Sequence, residues 1–97
     1  MELHKESKIV LIAETFPSLA RADGVSPRNP NRLDVWASEL GRADDAVHAV
    51  RFLLRLWNSD CDWKCGRFDA QIAIRVWDRV HRRAFLDVAT QDCSAAI

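Results

Sequence analysis

The chain has 97 residues, enough for one domain around a single modest core. Its apolar share of 48% and charged share of 29% exclude a disordered chain, and three Gly with three Pro leave few tight turns for a many-stranded β fold. Fourteen Lys and Arg balance fourteen Asp and Glu, so no overall field draws the chain to nucleic acid or to an acidic membrane; either partner needs a local patch.

In the first segment Ile9, Ile12, Ala13 and Phe16 recur at the spacing of one helix face, which predicts a helix over 4–16 that Pro17 stops. The run Ile9–Ile12 also reads as a short strand. The longest uncharged apolar run, Ile9–Ala13, is too short to span a membrane, and Glu14 and Phe16-Pro17 stand where a signal peptide needs small residues, so the chain is read as cytoplasmic with no membrane partner. Pro17, Gly24, Pro27 and Pro30 punctuate the next stretch, with room for a single turn around 18–22. Asn29-Pro30 then forms a helix start, because Asn caps free amides and Pro fits the first helical position. Leu33, Trp36, Ala37 and Leu40 follow at i, i+3, i+4 and i+7, and Gly41 closes the segment.

Asp44 or Asp45 is the expected cap of the following helix, which runs to Trp57 and is apolar on most sides. Such a helix is a central one, covered by its neighbours. A loop over 58–68 leads to an Asp69 cap and a segment over 69–89 with Ile72, Ala73, Val76, Trp77, Val80, Ala84 and Val88 on one side. Asp78 either lies within one long helix or ends one at Trp77 and caps another. From about residue 91 the tail has no periodicity and is expected to fray.

Four constellations carry chemistry, each beside a plainer reading. Cys61 and Cys65 have loop spacing suited to zinc, but a second ligand pair would have to be His81 and Cys93, which share no motif. With Cys93 as the third, an odd count reads as free thiols, and no metal or cofactor is assigned. Six Lys and Arg between Lys64 and Arg83 face only Asp69 and Asp78. On a continuous helix Arg75, Arg79 and Arg82 form a stripe whose guanidinium forks match phosphate, although Asp78 shares that face and a solvated surface is the plainer reading. Asp78 and His81 stand one helical turn apart, as a general base and its orienting carboxylate do, with His48 available to complete a site in space. No nucleophile or glycine-rich loop accompanies them, so no catalytic residue is assigned, and both histidines read as core or boundary residues bonded to backbone carbonyls. Trp36, Trp57 and Trp77 read as core anchors; Trp63, in the Cys loop, is either a contact residue or an outer cap on the core.

From Arg51 onward the strings Arg51-Phe52-Leu53-Leu54, Leu56-Trp57-Asn58, Gly66-Arg67-Phe68-Asp69, Trp77-Asp78, His81-Arg82 and Ala84-Phe85-Leu86 resemble a family of small, uncharacterised bacterial proteins. The resemblance covers roughly 33–89 and departs in the tail, where that family carries tryptophans and this chain has none. It implies a bacterial, cytoplasmic helical domain and brings no activity.

The expectation is therefore a single all-α domain of four or five helices in an orthogonal or bundle-like array, with α+β as runner-up. Its expected role is protein–protein interaction as an accessory module, first of all with itself as a homodimer. Eight large rings crowd so small an interior that Trp63 and the 44–57 helix are expected to keep apolar surface outside. The alternatives are an enzyme using Asp78, His81 and His48, and nucleic-acid binding through Arg75, Arg79 and Arg82.

Overall fold

The computed structural model describes the backbone of residues 2–20, 22, 25, 28–39, 41–58 and 62–96, and the side chains of 8–20, 22, 25, 28–39, 41–58 and 62–89. Among these residues there are six helices and no strand: α1 Glu2–Thr15, α2 Pro17–Ala20, α3 Pro30–Ser38, α4 Asp44–Trp57, α5 Ala70–Val76 and α6 Arg79–Ala96. The all-α class holds. The count exceeds four or five because the turn after Pro17 is a helix of its own and the last segment is divided.

Helix α1 buries the face that its spacing marks: Ile9, Ile12 and Ala13 lie in the core, joined by Phe16 just past the helix end. Helix α3 begins as its sequence dictates, with the Asn29 side chain accepting from Arg32 N at 3.2 Å and Pro30 in the first turn. It ends at Ser38, and Gly41 takes φ +84 in the turn that follows. Leu40, expected on its apolar row, lies outside the described residues.

Neither Asp44 nor Asp45 occupies the cap of α4. Ala43 does, without a side-chain bond, and the two carboxylates sit in the first turn, where the positive end of the helix dipole favours them. Helix α4 is central, as its nearly all-round apolar character requires: it packs against α1, α2, α3 and α5 and buries Ala46, His48, Ala49, Val50, Phe52, Leu53 and Leu54.

The division of the last segment falls at Trp77. Asp69 caps α5, accepting from Gln71 N and Ile72 N at 3.0 and 3.2 Å. Trp77 closes α5 in an extended conformation, and its indole N–H donates to Asp45 O across 3.0 Å, drawing the chain onto the start of α4. Helix α6 then continues through Ala96, past the position where periodicity ends in the sequence.

The rings do not remain outside. Phe16, Phe52, Phe68, Trp77, His81 and Phe85 form one cluster with centroid separations of 5.1–6.3 Å. Trp36 is buried under the Arg42 guanidinium, 4.1 Å from the ring centroid. Trp57 and Trp63 are half-buried against the core. The interior accommodates the rings because they stack on one another around α4. Among the described residues, the large apolar side chains left exposed are aliphatic instead: Leu11, Val35, Ile72, Ile74, Val76, Val80 and Leu86.

Candidate functional site

The break before α6 assembles the most organised polar cluster among the described residues. Asp78 Oδ1 accepts the His81 backbone N–H at 2.9 Å, as a helix cap does, and also contacts His81 Nδ1 at 2.8 Å. On the other side of the ring, Ser18 Oγ lies 2.8 Å from His81 Nε2 and the Ser18 amide donates to the same nitrogen at 3.3 Å. An amide can only donate, so Nε2 carries the lone pair and the ring proton sits on Nδ1, facing the carboxylate. The His81 side chain is 2% exposed and is held between Trp77, stacked at 6.3 Å, and Phe16. The His81 amide and then its side chain hold the Asp78 carboxyl below the usual carboxylate range. Asp78 and His81 are thus brought together as their spacing predicts, but the ring is bonded to side chains and an amide rather than to backbone carbonyls. Ser18, the hydroxyl absent from the sequence reading, is supplied by α2 from 63 residues away.

His48 does not complete this cluster. It lies on α4, where burial and then Arg51 lower its pKa, opposed by Asp44 and Asp69. Its Nδ1 is buried and has no hydrogen-bond partner among the described residues. The arginine stripe loses its premise as well: Arg75 lies in the last turn of α5 while Arg79 and Arg82 belong to α6, so no single helix face carries all three. Arg82 Nε turns back to the Asp78 carbonyl at 3.4 Å.

The Cys loop is a braced structural element. Buried Asp34 on α3 accepts from Lys64 N at 2.9 Å and Cys65 N at 2.8 Å, while Arg51 Nε on α4 donates to Cys65 O at 2.7 Å. Burial, followed by the adjoining Asp34 carboxylate, pushes the Cys65 thiol up to about 12, so it stays protonated at neutral pH and is a poor metal ligand. Cys61 lies outside the described residues, as does the side chain of Cys93. Among the described residues no three His, Cys, Asp or Glu are grouped to hold a metal ion. Trp63 caps this loop on the core and donates from Nε1 to Asn58 O at 3.3 Å.

A second feature lies between α1 and α6. One depression of about 360 Å³ is lined by Lys8, Leu11, Ile12, Thr15, Ala84, Asp87 and Val88. Another, also of about 360 Å³, is lined by Thr15, Arg79, Val80, Arg83, Ala84 and Asp87. They share Thr15, Ala84 and Asp87 and so form one groove. No described helix is long and apolar enough to cross a membrane.

Comparison with protein-family models, with curated proteins and with solved structures found no match for this chain.

Proposed function

We propose that this chain is a small protein–protein interaction module that pairs with a second copy of itself through the α1/α6 groove. The observation that carries the reading is the exposed aliphatic side chains along that groove, where Leu11 is 64% and Val80 55% exposed in the two depressions that meet at Thr15, Ala84 and Asp87.

The rim carries Lys8, Arg79 and Arg83, and its carboxylate, Asp87, pairs with Arg83 of the same chain at 3.3 Å. Apolar contact therefore supplies the affinity, and a two-fold axis is the simplest closed arrangement of two such faces. The bacterial, cytoplasmic setting is part of the same proposal and rests on the wording of 33–89 and on the cysteine usage.

Sedimentation equilibrium across micromolar concentrations tests it. The expected result is a dimer whose association changes little with salt, weakened at least about tenfold by Val80→Asp or Leu11→Asp, each of which places a charge among those aliphatic side chains. A monomer mass at every concentration overturns the reading.

A further inference from the structure

The cluster at the α2–α6 contact has the connectivity of an activated hydroxyl. The oxygen–imidazole–carboxylate series runs Ser18 Oγ, His81 Nε2, His81 Nδ1, Asp78 Oδ1, with both links at 2.8 Å. Two independent features fix the ring in the tautomer and orientation a general base needs: the Ser18 amide keeps the Nε2 lone pair toward Ser18, and the Trp77 and Phe16 rings prevent rotation. Ser18 itself is only half-buried. We propose that Ser18 is a nucleophile that takes an acyl group from an activated carboxylic ester, with His81 as its base and Asp78 as the group that positions the base.

In the first step Ser18 Oγ forms a bond to the ester carbonyl carbon and its proton passes to His81 Nε2. The bond from that carbon to the leaving aryloxide oxygen then breaks, and the Nε2 proton is given to that oxygen. Water repeats the sequence on the acyl-serine: its oxygen bonds to the carbonyl carbon, its proton goes to Nε2, and the proton returns to Ser18 Oγ as the carboxylic acid leaves. The Nδ1 proton stays between the ring and Asp78 throughout.

The transition-state charge meets no preset donor among the described amides of α2. The Leu19 and Ala20 amides are bonded to Phe16 O at 2.9 Å, and the Ser18 amide points at His81 Nε2. Without a preset oxyanion donor the substrate class is limited to esters with a weakly basic leaving group, whose tetrahedral adduct collapses with little help.

The probe is 4-nitrophenyl acetate, applied to the intact chain and followed by 4-nitrophenol release, intact mass and peptide mapping. The expected result is a burst of one equivalent, with the acetyl group on Ser18. Ser18→Ala should abolish the burst, and Ser18→Cys should restore acylation as a thioester. Asp78→Asn keeps a capping oxygen for the His81 amide but removes the charge, and should slow the burst on the order of 10²-fold with helicity unchanged. An acetyl group found elsewhere, a burst equal in Ser18→Ala, or no acylation in either the native or the Ser18→Cys chain overturns the assignment.

Discussion

Asp34 shows how one side chain organises a distant segment. It sits on α3, yet both its carboxylate oxygens are used by the amides of Lys64 and Cys65, 30 and 31 residues along the chain. Asp34→Ala removes the acceptor and leaves two amides without it, so a loss of about 3 kcal/mol in urea unfolding is expected. Peptide-mapped thiol labelling should show Cys65, nearly inert in the native chain, becoming reactive in that variant. Two other residues set an acid limit on stability. His48 is depressed below its ordinary value of 6.5, so the unfolded chain takes up a proton there first; its contribution is complete above pH 6.5 and is lost as pH falls through the folded value. Asp78, depressed below 3.8, behaves alike in a lower window: its contribution is present above that pH and disappears as the carboxyl protonates in the folded state. Thermal midpoints should therefore begin to fall below about pH 6.5. His48→Leu should remove that first decline without destabilising the protein at pH 8, since it also removes a buried nitrogen that lacks a partner.

At the scale of elements, much was legible where the signal is local. The start of α3, the Asp69 cap and the buried faces of α1 and α4 follow from caps and 3.6-residue periodicity, which depend on neighbours in the chain. The break at Asp78 was not decidable that way. No Gly or Pro marks it, and an Asp between arginines serves a salt-paired helix as well as a cap. What decides it is tertiary: Trp77 reaching Asp45 and His81 reaching Ser18. Ser18 and Asp34 escaped for the same reason, although an acidic residue flanking the Leu33, Trp36 and Ala37 row was a visible signal of a buried polar contact. The exposed apolar surface was expected on Trp63 and 44–57 and lies on aliphatic residues instead, because ring stacking is a property of the folded cluster. Gly66 supplies a test of the braced loop. It holds φ +97, and a Cβ there would stand 3.2 Å from the Arg51 guanidinium. Moving that guanidinium aside strains its 2.7 Å bond to Cys65 O, and the left-handed backbone adds a penalty of its own. Gly66→Ala should cost about 1–2 kcal/mol in the same urea titration.

The molecule as a whole has a radius of gyration of 12.4 Å, where a chain of this length is expected at about 12.5 Å. The chain is therefore gathered to the radius ordinary for its length, with the middle of the sequence, α4, at its centre. That placement has a consequence for how the protein is made. During synthesis α1, α2 and α3 leave the ribosome before the helix they are destined to cover. At about 5–20 residues per second, Ile9, Phe16 and Leu33 wait for a matter of seconds until Trp57 has been added. For that interval the nascent chain displays its most apolar faces to the cell with nothing of its own to place against them. This is the period when a chaperone, or another nascent copy, can reach surfaces that the finished fold closes.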